Sequence, residues 1–175
     1  MRRVLYSVAM SLDGYIARPG GEFDWIPMDP AIDWGAFMSR FDTVLVGRRT
    51  FEIAVQGGSG ASLPDMRTYV FSRTLRTADH PDVTIVADDA AIVVRRLREE
   101  TGKDIWLMGG GVLFQALLHA DLVDGVEVGI VPILLGEGLP LLPAGQASAR
   151  LRLTHSQVYP SGIVLLTYDV VGDAA

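Results

Sequence analysis

Asp104 to His119 reads DIWLMGGGVLFQALLH: an apolar run, three consecutive glycines, then a second apolar run. Ile105 to Met108 has the length and apolarity of a buried strand, and Val112 to Leu118 those of a buried helix. Gly109, Gly110 and Gly111 therefore fall at a strand-to-helix corner. Without Cβ the chain can take positive φ there and bring its N–H groups close to a ligand, while the helix start offers unpaired donors to an anion. A glycine run also makes a plain turn, and this one matches neither G-x-G-x-x-G nor G-x-x-x-x-G-K-S/T, so the corner alone leaves both readings open.

The neighbouring segments supply a sheet for that corner. Upstream, Val83 to Ala87 reads as a strand; Asp88 or Asp89 caps a helix to about Thr101 whose Ala91, Val94 and Leu97 face inward and whose Arg95, Arg96, Arg98, Glu99 and Glu100 face water. Thr43 to Val46 is a short buried strand closed by Gly47-Arg48-Arg49-Thr50 and a helix to about Val55, a second glycine corner. Thr68 to Phe71 is a further strand ending at Ser72-Arg73, and Gln56 to Pro64 is a surface loop. At the N-terminus, residues 3 to 9 read as a strand and Ser11 to Gly14 as a turn, followed by a long loop from Ala17 to Pro30. Asp29 and Pro30 fit the N-cap and first position of a helix running to Arg40, with Trp34, Phe37, Met38 and Phe41 as its buried stripe. Asp124 to Val131 is a strand, Pro132 to Pro143 a loop, and Leu151 to Tyr159 with Ile163 to Val171 a hairpin about Pro160-Ser161-Gly162. The alternation predicts one α/β domain over residues 1–175: a mixed, mostly parallel sheet with helices on both faces and a C-terminal antiparallel hairpin.

Composition narrows the function classes. A net charge of −6 opposes a broad nucleic-acid surface, which needs a concentrated basic face. The absence of cysteine excludes disulfides, thiolate metal sites and cysteine nucleophiles, and fits the cytoplasm. His80, His119 and His155 have no metal-ligand spacing. No segment reaches the ~18 apolar residues of a membrane span, and the N-terminal apolar run is interrupted by Asp13 and lacks a signal-peptide cleavage site. A small-molecule partner remains. The corners at Gly47 and Gly109 can converge, since open α/β sheets bind ligands beyond the carboxyl ends of their strands, and Arg48, Arg49, Ser72 and Arg73 lie beside them as phosphate ligands.

Four segments in order, SVAMSLDGYIA (Ser7–Ala17), FDTVLVGRRTFE (Phe41–Glu52), RTYVFSRTL (Arg67–Leu75) and DIWLMGGGVLFQALL (Asp104–Leu118), resemble the dihydrofolate reductase family, in particular the group related to the C-terminal reductase domain of bacterial riboflavin biosynthesis. The resemblance implies a dihydrofolate-reductase-like fold and NADPH as cofactor. It implies that Ala9 and Ile16 meet the nicotinamide carboxamide through their backbones. Gly47, Arg48, Arg49 and Thr50 would hold the cofactor phosphates, Arg48 the 2′-phosphate, with Ser72 and Arg73 forming the other half of that pocket. Met108 leads into Gly109, Gly110 and Gly111, which would cover the pyrophosphate, commonly with a cis Gly-Gly bond; Leu113 and Phe114 follow on the helix.

In the same family an acid at the start of the first helix binds the substrate ring beside an aromatic residue four positions on, and Asp33 with Phe37 reproduces that pair. Asp33 would anchor or protonate the substrate; its other reading is an acid placed by the helix dipole. Trp25 reads either as core or as a wall of the substrate pocket. Gly129 stands where folate-reducing members carry a hydroxyl residue, which argues against folate; Tyr15 after Gly14, and FEIAVQGG from Phe51, depart from the riboflavin-pathway pattern. The implied activity is NADPH-dependent reduction of a C=N, C=C or C=O bond in a small heterocyclic substrate. The alternatives are a riboflavin-pathway pyrimidine reductase and a nucleotide-binding module without turnover. The C-terminal hairpin could supply a homodimer interface.

Overall fold

The computed structural model describes residues 1–57, 62–145 and 148–171. The expected loop from Gln56 to Pro64 therefore lies partly outside the described residues. The elements are β1 (Val4–Ser11), β2 (Tyr15–Ala17), α1 (Trp34–Ser39), β3 (Phe41–Gly47), α2 (Arg48–Gln56), β4 (Arg67–Phe71), β5 (Thr84–Val86), α3 (Ala90–Glu99), β6 (Asp104–Gly109), α4 (Gly111–His119), β7 (Gly125–Val131), β8 (Leu139–Pro140), β9 (Arg150–Val158) and β10 (Val164–Val171). Eight strands form one sheet in the order β5-β4-β3-β6-β1-β7-β10-β9. The strands from β5 to β7 are parallel, and β10 and β9 close the sheet in the antiparallel sense.

The period of two along each strand sorts the core into two faces. Val4, Tyr6, Leu45, Ile105, Leu107, Val126 and Val128 turn toward α3 and α4, where Val93, Val94, Leu97, Leu113 and Leu117 complete the main core. Tyr6 stacks on Phe114 with ring centroids 3.9 Å apart. On the other face Leu5, Val44 and Trp106 pack against Phe37 and Met38 of α1, and Val46 and Val70 against Phe51 of α2. The three-layer α/β arrangement expected from the sequence is thus present.

The first helix departs from expectation. It begins at Trp34, and its N-cap is Asp33, whose carboxylate accepts the Ala36 amide at 2.8 Å. Asp29 is buried and instead accepts from the Ala31 amide at 2.8 Å and the Ser161 amide at 3.0 Å, which ties the long loop to the hairpin turn. Six helical residues make fewer than two turns, too short for a full stripe. Phe37 and Met38 reach the core, Trp34 is 44% exposed, and Phe41 already opens β3. Arg98 is also not simply solvated: it donates to Asp124 at 2.7 Å. The small β2–β8 ladder was not legible, being only three residues against two.

Asp13 fastens the turn before β2 to the loop before β8. It accepts from Ser11 Oγ at 2.6 Å and from the amides of Leu135 and Gly136 at 3.1 and 2.7 Å. The Ser11 hydroxyl, with those amides behind it, holds the carboxyl down at about 2 against an ordinary 3.8. A depressed carboxylate contributes its stabilisation above its ordinary range and loses it as pH falls through the folded value. The Leu135 and Gly136 amide resonances should therefore titrate together with a midpoint near pH 2. In Asp13→Asn that titration should vanish; a midpoint at the ordinary carboxylate value would contradict the latch.

Every residue of β9 is exposed, Leu153 and Val158 among them, so the sheet ends in a bare edge. Among the described residues no helix is long and apolar enough to cross a membrane, and no three acidic, histidine or cysteine side chains group as a metal site.

Candidate active site

β1 and β6 part company toward their carboxyl ends. Their ladder runs only from Val4 to Tyr6, whereas β1 stays paired with β7 through Ser11. Arg3 and Ser7 direct their carbonyls toward β6, the first to the Ile105 amide and the second to the Trp106 indole at 3.0 Å, while Val4 directs its own toward Asp124 beside β7. By that alternation Ala9 points its N–H and C=O into the widening gap, where β6 no longer meets them. Backbone groups beside a gap between strands call for a polar partner.

The two glycine corners meet at the top of that gap. Gly110 holds φ at +97°, and a Cβ there would lie 3.4 Å from Gly47 Cα. A Cβ on Gly111 would come within 2.9 Å of Pro143 Cδ. Gly47 is the N-cap of α2 and Gly110 that of α4, and neither helix start has a side-chain cap. Two sets of unpaired amide donors, each at the positive end of a helix, therefore lie side by side without a side chain to fill the space. Such a cradle suits an elongated anion. All described peptide bonds are trans, so neither bond within Gly109–Gly111 takes the cis form implied by the resemblance.

A cavity of about 1160 Å³ runs from this corner to the inner face of α1. That exceeds the ~300–1,000 Å³ of a typical single-ligand site, leaving room for two molecules end to end. Of the residues expected at a site, Ala9, Ile16, Asp33, Phe37, Gly47, Arg48, Arg49, Thr50, Met108, the glycine run and Leu113 all line it. Arg48 Nη1 is bound to Glu52 at 3.0 Å. Asp33 keeps one carboxylate oxygen on the Ala36 amide, and its other oxygen has no partner among the described residues.

Four expected residues stand elsewhere. Trp25 is buried against Val131 and Ile163 and does not line the cavity, which makes it core. Phe114 is buried in the main core, stacked on Tyr6, and does not line the cavity, which α4 borders through Gly111, Val112, Leu113 and Ala116. Ser72 and Arg73 line a separate, smaller depression together with Asp88 and Asp89, connected to the main cavity by shared walls at Phe71 and Ala116. There the Ser72 hydroxyl accepts the Thr74 and Leu75 amides at 3.2 and 3.0 Å, closing its own turn.

The α1 end holds a polar group absent from the sequence reading. Ser7, Glu127 and Thr167 are register partners on β1, β7 and β10 and face the cavity side of the sheet. Glu127 is buried; it accepts from Ser7 Oγ at 2.9 Å, from Arg40 Nη1 at 3.2 and 3.1 Å, and from Thr167 Oγ1 at 3.4 Å. The available signal was a single acid inside the apolar run of β7, since an unpaired buried carboxylate is too costly to leave alone.

Comparison with known proteins places this architecture. The model of the RibD C-terminal domain matches residues 2–165. An uncharacterized protein, YyaP, of Bacillus subtilis (strain 168) is 33% identical over 178 aligned positions, covering 95% of this chain and 94% of that protein. A crystal structure named for riboflavin biosynthesis, from Shewanella sp. PV-4, superposes with a TM-score of 0.81 at 28% identity, covering 98% of this chain and 99% of the other. Dihydrofolate reductase from Enterococcus faecalis, complexed with NADP(H), superposes with a TM-score of 0.68 at 19% identity and 96% coverage of both chains, which is a likeness of fold. With a family match over nearly its whole length and the sheet, corners and cavity described above, the chain belongs to the RibD C-terminal domain family and has the dihydrofolate-reductase-like fold.

Proposed function

We propose that the protein is an NADPH-dependent reductase acting on a C=N, C=C or C=O bond of a small heterocyclic substrate. The observation that carries this reading is the continuity of the cavity from the glycine cradle to Asp33 and Phe37, with Ala9, beyond the end of the β1–β6 ladder, lining it between them. When bound, NADPH supplies a hydride from its nicotinamide ring. The chain's own residues bind and orient. The amides at Gly47 and Gly109–Gly111 would hold the pyrophosphate, and Ala9 and Ile16 would hold the carboxamide through their backbones. Arg48 and Arg49 flank the adenosine end, where a 2′-phosphate would compete with Glu52 for Arg48. At the other end Asp33 offers its free oxygen to an N–H donor of the substrate ring or delivers a proton to it, and the apolar walls around Phe37 exclude water.

The test is NADPH oxidation, followed by loss of nicotinamide absorbance, against quinones, dihydropterins, cyclic imines and the aminouracil ribosylamine phosphate of the riboflavin pathway. Turnover with one of these is expected, and Asp33→Asn should lower it by about a hundredfold or more while leaving NADPH affinity unchanged. Turnover with the aminouracil would favour the riboflavin-pathway reading. NADPH binding without turnover on any class would favour a binding module, and failure to bind NADPH would reject the reading altogether.

A further inference from the structure

We propose that Trp106 is a positioning residue for the nicotinamide end of the cavity: its indole N–H occupies the Ser7 carbonyl that β6 would otherwise pair, and so holds β1 and β6 apart where Ala9 meets the cofactor. The inference rests on the reductase reading for what fills the gap, and deepens it by naming what keeps the gap open.

The ladder itself sets where the strands divide. The Ile105 amide donates to the Arg3 carbonyl at 2.8 Å, and parallel pairing repeats at every second residue, so the regular partner of the Ser7 carbonyl is the Gly109 amide. β6 does not deliver it. The pairing of β6 with β3 steps from Leu45 opposite Leu107 to Val46 opposite Gly109, which leaves Met108 as an extra residue and bends β6 just where it leaves β1. A buried carbonyl at such a split needs another donor. Trp106 reaches across from β6 and supplies it, Nε1 donating to the Ser7 carbonyl at 3.0 Å.

The indole is held to that task by its neighbours. Its ring is buried, with the Phe37 ring edge-on at 5.1 Å and the Phe41 ring at 6.0 Å. With Ser7 satisfied, closing the strands gains no hydrogen bond at that carbonyl, and the backbones of Ala9 and Gly109, which both line the cavity, stay available to a ligand. A phenylalanine or leucine at position 106 has no N–H to donate. The stranded Ser7 carbonyl then draws in the Gly109 amide, the Ala9 amide takes the Gly109 carbonyl, and the gap narrows. The competing explanation is a core tryptophan whose N–H simply finds a partner; it predicts a loss of stability on mutation and no change in which part of the cofactor binds.

The experiment pairs calorimetry with hydrogen exchange. NADPH and adenosine 2′,5′-bisphosphate, the adenylate end alone, are titrated into the wild type, Trp106→Phe and Trp106→Leu. Both variants should bind NADPH about tenfold or more weakly, while their affinity for the bisphosphate stays within about twofold of wild type. In the cofactor-free wild type the Trp106 indole N–H should exchange slowly with solvent and the Ala9 and Gly109 amides rapidly; in both variants those two amides should become protected. Variants that melt earlier but keep the wild-type ratio of the two affinities overturn the proposal. So does a rapidly exchanging indole N–H in the wild type, or unchanged exchange at Ala9 and Gly109 in the variants. If one variant fails to fold, the other and the wild-type indole decide. If the wild type binds neither ligand, the cofactor reading fails separately, and the exchange measurements still report on Trp106.

Discussion

Gly110→Val should lower NADPH affinity by at least about a hundredfold while the protein remains folded. Two costs combine. At φ +97° a β-branched residue is forced into a region that side chains rarely adopt, which costs about 1–3 kcal/mol or a shift of the corner. The new Cβ would also stand 3.4 Å from Gly47 Cα and 3.7 Å from Thr50 Oγ1, in the space between the two uncapped helix starts. Either the corner opens or the branches occupy the place of the pyrophosphate, and both remove several amide hydrogen bonds at once; about 2.7 kcal/mol of lost binding is already a hundredfold. Isothermal calorimetry, with circular dichroism to verify the fold, measures this. Gly136→Val is the control, since Gly136 has positive φ at +77° but open space around it and lies outside the cavity lining. Equal affinities in the Gly110 and Gly136 variants would contradict the cradle.

The second large effect concerns stability at the opposite end of the sheet. Arg2 is 4% exposed; its guanidinium bonds Asp42, the Lys103 carbonyl and, at 2.8 Å, Thr43 Oγ1, while Nη1 is buried with no hydrogen-bond partner among the described residues. Arg2→Met keeps the volume and strands Asp42. Removing one partner of a buried ion pair costs ~3–5 kcal/mol, and Asp42, itself 31% exposed and still bonded to the Lys103 amide, places this case near about 3. The melting temperature should fall by roughly 6–12 °C. Adding Asp42→Leu should restore much of the loss, because the stranded charge goes with it. NADPH affinity should not move in either variant: Arg2 precedes β1 and Ala9 lies seven residues along it, ~23 Å at strand rise. A melting temperature within a degree of wild type would show that water replaces the arginine.

The backbone parts of the site were legible from the sequence, and its side-chain parts were much less so. Glycine runs at strand ends announce themselves because few other needs place three glycines between apolar runs, and Gly47 and Gly109–Gly111 do border the cavity. Helix orientation was harder to read. In α4 Leu113 and Phe114 are adjacent apolar residues buried in the same core, so nothing local distinguishes Leu113, which also reaches the cavity, from Phe114, which does not. At α1 two aspartates four apart both suit an N-cap; Asp33 takes it because Asp29 is drawn away by the Ser161 amide, 132 positions later. The pairing of Arg40 with Glu127 spans 87 positions and depends on strand order, which local periodicity does not encode. The sheet's class, mostly parallel with a final antiparallel hairpin, by contrast followed from alternating strands and helices, each of which is a local signal, whereas its strand order did not.

The central claim is that the glycine cradle and the gap between β1 and β6 hold NADPH. Its most direct test is an NADPH titration of isotope-labelled protein followed by amide chemical shifts. At one equivalent the amides of Ala9, Gly47, Arg48, Gly110 and Gly111 should move and saturate together, while those of Arg2 and Lys103 at the far end of the sheet stay in place. Absence of saturable shifts, or saturable shifts that leave Gly47, Gly110 and Gly111 unmoved, would contradict it.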